Sequence, residues 1–306
     1  MVQIRHRSQN VVLHEVDAPD LQAADLHASG LAGADLAGRD LSGANLKQAI
    51  LQSADLGRAL LREADLTGAN LEGALLAGAD FCGAIMCRAR LIDAVLEDAN
   101  LEGADLTHAT FLAARASRAR FTEANLTHAY FEQASLRHVR FTSARMAFAS
   151  LVDSDLTGAD FQNAALTEVN ARYARFTGAN FTGARLIAAN LKNVEAGEAV
   201  FRDAHLVEAN LTHANLRNTD FTRADLREAN LAAATLFAAD LTGADLTGAT
   251  LQRADLRQSN LCGADLSRAY ILQEASIAGA VYDSTTRWPE SFRPEERGAR
   301  RAVRIE

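Results

Sequence analysis

The chain has 306 residues, of which 48% are hydrophobic but only 6% aromatic, with three prolines and a formal charge of −8. That acid balance argues against direct nucleic-acid binding, which normally shows a basic face, and no apolar run approaches the roughly 18 residues that span a bilayer. No signal-type segment opens the chain, so a cytoplasmic location is expected, and Cys82, Cys87 and Cys262 form neither a disulfide framework nor a paired metal spacing.

Residues 1–20 read as a cap. Val2-Gln3-Ile4-Arg5 and Val11-Val12-Leu13 flank Ser8-Gln9-Asn10, a strand–turn–strand pattern. From Leu21 a repeat of five takes over and runs to Ile271 through 51 consecutive pentads without an inserted or deleted residue. A large apolar residue holds nearly every position ending in 1 or 6. A small residue, mostly alanine, stands two places before it, and Asp or Asn usually lies between, as in Ala24-Asp25-Leu26 and Ala44-Asn45-Leu46. Five residues on an α-helix turn through about 140° from a full rotation count, so no apolar face would form. The small–polar–large alternation has the period of a strand instead. Two polar or glycine residues follow, with Gly33, Gly38 and Gly43 at the second, where a corner accepts positive φ. Each pentad is therefore a side plus a corner, and the chain must coil into a solenoid.

The aromatic residues set the number of sides. Phe121, Phe141, Phe161, Phe181, Phe201 and Phe221 recur every 20 residues, so four pentads per coil would stack them in one inner column about 4.8 Å apart. Three sides would scatter them. Ala171 and Ala196 are offset by Val169 and Val194 in the usual small slot, whereas Ala116 lacks such a partner and a small void is expected there. Proline is absent from Leu21 to Ile271, as coil-to-coil hydrogen bonding requires.

The inward Ala–Leu pair, the intervening Asp or Asn and the 20-residue coil resemble the bacterial pentapeptide-repeat family, over about 82% of the chain. The resemblance implies an all-β fold, a right-handed quadrilateral β-helix over residues 21–273, with about 12 to 13 coils and a rod of ~60 Å.

Residues 274–306 read as a C-terminal cap and polar tail. Tyr282, Trp288 and Phe292 form an expected aromatic plug over the last coil. The segment from Tyr282 to Pro289 resembles a tail that follows the repeats in other family members. The final stretch, with Arg297, Arg300, Arg301 and Arg304, is expected to be frayed or a short helix.

Catalytic signatures are missing from the pattern: no phosphate loop, no His-Glu-x-x-His, no nucleophile elbow. Asp25, Asp65 and Asp105 occupy the solvated slot between Ala and Leu. His108 and His128 are one coil apart at the same corner, but Phe148 takes the third place in that column, so a histidine ladder is favoured over a metal site. Cys82 and Cys87, on adjoining faces, read as inert surface thiols. The sequence reads as a non-enzyme with no cofactor and no metal.

Two readings of the surface remain. The resemblance implies kinship with quinolone-resistance proteins, whose rods are thought to mimic duplex DNA on gyrase. Sorted by face, outward charge nets −5 on the Phe-column face, −3 on the next and near zero on the other two, against about 35 charges on ~60 Å of duplex. Arg120, Arg140, Arg202 and Arg223 interrupt the most acidic face. The third face is neutral and carries Ile92, Leu112 and Val152 in one outward column broken by Glu132, with Tyr130 and Tyr173 nearby; Ile187 and Val207 stack on the neighbouring wall. Such a strip points to a protein partner or a homodimer. The competing reading is that β-branched and aromatic residues simply favour strands. A non-catalytic interaction protein is the leading expectation, and a DNA-mimicking modulator of gyrase the alternative.

Overall fold

A computed structural model of the chain describes residues 1–270 and 272–302. Ile271, the last expected core position, and Arg304 lie outside the described residues. The chain divides into two compact units, Met1–Asp155 and Leu156–Glu306.

Within each unit, parallel bridges join residue i to residue i+20. They run from Asp25↔Asn45 to Ser135↔Asp155 in the first unit and from Asp160↔Asn180 to Thr250↔Tyr270 in the second. A coil is thus 20 residues, or four pentads. The sides are shorter than the strands the alternation suggests. Each side is a single bridging residue, the one between the small and the large inward residues. The corner begins at once: Ala34 N–H donates to the Leu31 carbonyl at 3.0 Å, closing a β-turn over Ala32 and Gly33.

Nearly every backbone N–H of a pentad has a defined acceptor. Leu31 N–H donates to Ile50 of the next coil at 2.8 Å, Gly33 N–H to Gln52 at 2.8 Å, and Asp55 N–H back to Ala34 at 2.8 Å. The remaining donor is the first corner residue, and where the bridge residue is Asp or Asn its side chain takes it. Asp65 Oδ1 accepts Thr67 N–H at 3.1 Å, Asn70 Oδ1 accepts Glu72 N–H at 3.1 Å, and Asp80 Oδ1 accepts Cys82 N–H at 3.1 Å. These are Asx turns, and they give the Asp/Asn preference a backbone cause beyond solvation.

The second corner residue has φ near +60° whether or not it is glycine, as at Arg58, Glu123 and Tyr173. No Val, Ile or Thr occupies that position between Ala23 and Arg268, because β-branching is least compatible with positive φ. Inside, alanines and leucines are buried in both units. Phe161, Phe181, Phe201 and Phe221 stack at 4.7, 4.7 and 4.8 Å in the second unit, and Phe121 stacks on Phe141 at 5.1 Å in the first. Rings also line the opposite wall. Phe111 and Phe131 stack at 4.4 Å and meet Phe121 edge-on at 5.8 and 5.9 Å. Ala116 stands between Phe111 and Phe121 in sequence, so two rings crowd the coil where one side chain is small.

At the N-terminus, β1 (Val2–Arg5) pairs antiparallel with β2 (Val12–Val16). This hairpin covers the first coil edge: the Arg5 carbonyl accepts Asp35 N–H at 2.8 Å, and Arg7 N–H donates to Gly33 at 2.9 Å. Gly33 is required there, since a Cβ would run into the His6 ring.

At the C-terminus the register slips. A 3-10 turn at Leu272–Glu274 stretches the bridge spacing, giving Asn260↔Val281 and then Asp265↔Arg287. The tail departs from the frayed or helical form expected of it. After a 3-10 turn at Glu295–Arg297, β4 (Arg300–Arg301) pairs parallel with β3 (Val281–Tyr282), because the last coil leaves the Ala280 carbonyl free to accept Arg300 N–H at 2.7 Å. Tyr282 and Phe292 are buried, and Trp288 lies edge-on to Tyr282 at 5.7 Å and stacked on Phe292 at 5.1 Å. The Tyr282 hydroxyl donates to Glu295.

Candidate interaction surface

The outward positions are the first corner residue, the second corner residue and the bridge residue. Ion pairs show how they meet across coils. Most join a first corner residue to the bridge residue 18 places on, as in Lys47–Asp65 at 3.0 Å, Arg62–Asp80 at 2.6 Å and Arg202–Asp220 at 2.5 Å. Leu112 and Tyr130 have the same 18-residue relation, so an apolar side chain and an aromatic one fill a diagonal that in several other coils holds an ion pair. They are 37% and 45% exposed.

Around them, Ile92 and Val152 are half-buried and Glu132 stands between Leu112 and Val152 in their column. In the second unit Tyr173 is 52% exposed, and Ile187 and Val207 are half-buried. The first corner residue has ordinary negative φ, and β-branched residues are common there: Thr67, Thr107, Thr127, Ile92 and Val152 all occupy it. Backbone preference therefore accounts for Ile92 and Val152. It does not account for Leu112, which is neither β-branched nor aromatic.

The carboxylates are engaged in the backbone and in one another's columns. Asn45 Nδ2 donates to Asp25 at 2.8 Å, Asn100 to Asp80 at 2.9 Å, and Asn125 to Asp105 at 3.2 Å. Burial raises the Asp80 pKa, but the Arg62 guanidinium, Cys82 N–H and the Asn100 amide outweigh it and hold the carboxyl below its ordinary value. Such an acid is ionised at neutral pH and suits structure rather than proton donation. Burial and hydrogen bonding to Asp105 push the Cys87 thiol up to about 11, away from thiolate chemistry.

His108 and His128 stack with ring centres 4.8 Å apart and planes 4° from parallel, and Phe148 continues the stack at 4.9 Å. Imidazole lone pairs lie in the ring plane, so rings stacked face to face do not converge on one cation. Among the described residues no group of three or more His, Cys, Asp or Glu could hold a metal ion, and no helix is long and apolar enough to cross a membrane.

Family models agree with this repeat. "Pentapeptide repeats" matches in eight copies over residues 20–49, 31–68, 40–76, 159–203, 197–232 and 239–271, and "Pentapeptide repeat region" matches residues 84–161. The chain belongs to the pentapeptide-repeat family. Among solved structures it is similar to HetL, a pentapeptide repeat protein involved in heterocyst differentiation regulation in the cyanobacterium Nostoc sp. strain PCC 7120. The two are 30% identical over 78% of this chain and 89% of that one, with a TM-score of 0.31. A pentapeptide repeat protein of the Arabidopsis thaliana thylakoid lumen is 33% identical over 31% of this chain and 66% of its own, at a TM-score of 0.31. QnrB1, a plasmid-mediated fluoroquinolone resistance protein, is 19% identical over 60% of this chain and 90% of its own, at 0.28. No curated protein sequence matches the chain.

Proposed function

We propose that the protein is a non-catalytic interaction scaffold that presents its neutral wall to a protein partner or to a second copy of itself. The observation that carries this is the Leu112–Tyr130 diagonal, two exposed apolar side chains where the same geometry in several other coils holds an ion pair. Ile92 and Val152 extend the strip in the first unit, and the second unit carries an exposed ring of its own at the second-corner residue Tyr173. The flat support for such a wall is a right-handed quadrilateral β-helix over residues 21–273, closed by caps at 1–20 and 274–306. Four pentads per coil, each with its own bridge and turn, favour that cross-section.

Mimicry of DNA on gyrase has less support. Arg118 and Arg120 stand beside Asp98 and Glu102, pairing at 2.7 and 2.6 Å, so acid on that stretch is met by base.

The test replaces Leu112→Asp together with Tyr130→Asp, both on a surface where folding should be indifferent. The double variant should lose self-association in sedimentation, or lose a partner captured by the wild type, while its melting point holds. Unchanged mass and unchanged capture would overturn the reading. Gyrase supercoiling, with and without quinolone, should be unaffected by the wild-type protein; protection would favour mimicry instead.

A further inference from the structure

A basic band crosses the first unit. Residues 108–148 contain six arginines and three histidines against two glutamates, in a chain whose formal charge is −8. Within it, Arg118, Arg120, His138 and Arg140 surround a concavity of about 480 Å³, with Asp98 at its rim. The repeat explains the grouping. Arg118 and His138 hold the second corner position on consecutive coils, and Arg120 and Arg140 hold the bridge position, paired as Arg120↔Arg140. Coils about 4.8 Å apart thus set four cationic or protonatable side chains in a two-by-two array, with only the inward Ala119 and Val139 between the columns.

Two of the four side chains are braced by acids. Asp98 takes two donors of Arg118, at 2.8 and 2.7 Å, and Glu102 takes one of Arg120 at 2.6 Å. A guanidinium has five N–H donors in a planar fork, so both keep donors free while their planes are held by the acid behind them. Among the described residues, Arg140 and His138 have no side-chain hydrogen bond or ion pair. Like-charged arginines stacked on adjacent coils repel unless an anion lies between them, and the Asp/Asn pattern that fills the bridge column elsewhere is replaced here.

We propose that this concavity is a binding site for a phosphoryl dianion, carried by a small phosphate ester or by a phosphorylated peptide segment. Planar forks match the oxygens of phosphate in a bidentate way that an ammonium does not. Arg140 is the primary ligand, Arg120 and Arg118 close on the same oxygens from the neighbouring coil, and His138 supplies a further donor. The site is separate from the Leu112–Tyr130 wall and does not rest on it.

Isothermal titration of the 306-residue chain with inorganic phosphate, and with a short peptide bearing one phosphoserine, tests the proposal. A single saturable site is expected. Arg140→Ala should weaken it about tenfold or more, Arg140→Lys should restore little of it, and His138→Gln should cost less. Arg223→Ala, which removes an arginine paired with Asp203 in the second unit, should leave binding unchanged. Equal affinity for both probes assigns the site to a small ester; tighter binding of the peptide assigns it to a phosphorylated segment. Melting curves confirm that each variant is folded. Absence of saturable binding to both probes, or binding indifferent to Arg140→Ala, would overturn the proposal, as would an equal loss in the Arg223→Ala control.

Discussion

The regular coils and the two ends of this chain obey different rules. In the coils, every fifth residue repeats a role, and the bridges keep a constant spacing of 20 from Asp25↔Asn45 through to Thr250↔Tyr270 within the units. At the C-terminus the spacing slips by Asn260↔Val281 and again by Asp265↔Arg287, and three aromatic rings take over the closing of the core. Periodic order needs residue classes that recur: small and large residues inward, and a second corner residue that accepts positive φ. Ending that order needs particular contacts that occur once, such as the Asp283 carboxylate accepting Gly263 N–H at 3.1 Å and Thr285 N–H at 2.9 Å.

The same contrast holds between inward and outward positions of one coil. Phe181 is stacked on both sides at 4.7 Å, whereas Tyr173 points to solvent. Phe181→Ala should therefore destabilise by about 3–5 kcal/mol through the cavity it leaves. Tyr173→Ala should change stability by less than about 0.5 kcal/mol. Thermal or denaturant unfolding separates them, and comparable losses would break the contrast.

A smaller effect distinguishes the two corner positions. Glu123 has φ +58°, and its neighbour Thr122 is absent from the positive-φ residues. Glu123→Val should cost on the order of 1–3 kcal/mol in backbone strain, while Thr122→Val should be close to neutral. Equal effects would mean that the corner does not discriminate.

Acid should act on both regions in one direction. Hydrogen bonds from Thr285, Gly263 and Thr286 lower Asp283 to about 2. Asp225 is lowered by the Arg227 guanidinium against a counteracting burial effect. A carboxyl whose pKa is lower folded than unfolded contributes stability above its unfolded value near 3.9, and that contribution is lost as pH falls. Stability should therefore hold between pH 7 and about 5 as far as these groups are concerned, and decline below about 4. At Asp283 the loss should extend down towards pH 2. Asp283→Asn should remove part of that acid dependence, seen as a flatter melting point between about pH 4 and 2.

Much of this was legible beforehand, for a physical reason. Burial imposes a two-residue alternation and a corner imposes its own conformational filter, so Ala44-Asn45-Leu46 declares its side and Phe121 to Phe221 declare the coil length. The opposite-wall rings were less visible, because Phe111 and Phe131 recur only once at 20-residue spacing. The Asx role of Asp65 or Asp80 could have been read from the unmet N–H of the first corner residue, and the exclusion of β-branched residues from the second corner stands in the sequence itself. The pairing of β4 with β3 could not, since two exposed arginines carry no signal for a strand. Nor could the Arg118–Arg140 concavity be recognised until the coil set corner and bridge residues side by side; by face alone, Arg120 and Arg140 were interruptions.

Of the backbone donors of a pentad, only that of the first corner residue depends on a side chain, the outward Asp or Asn; the others are met by neighbouring coils and turns. Amide hydrogen exchange tests it residue by residue. The first-corner amides of Thr67, Glu72 and Cys82 have an Asp or Asn acceptor. Those of Cys87, Ile92 and Glu97 follow Ile85, Arg90 and Val95 and have none. Slower exchange is expected in the first set than in the second, with Leu and second-corner amides slowest in both. Uniform exchange across the two sets of first-corner amides would contradict it.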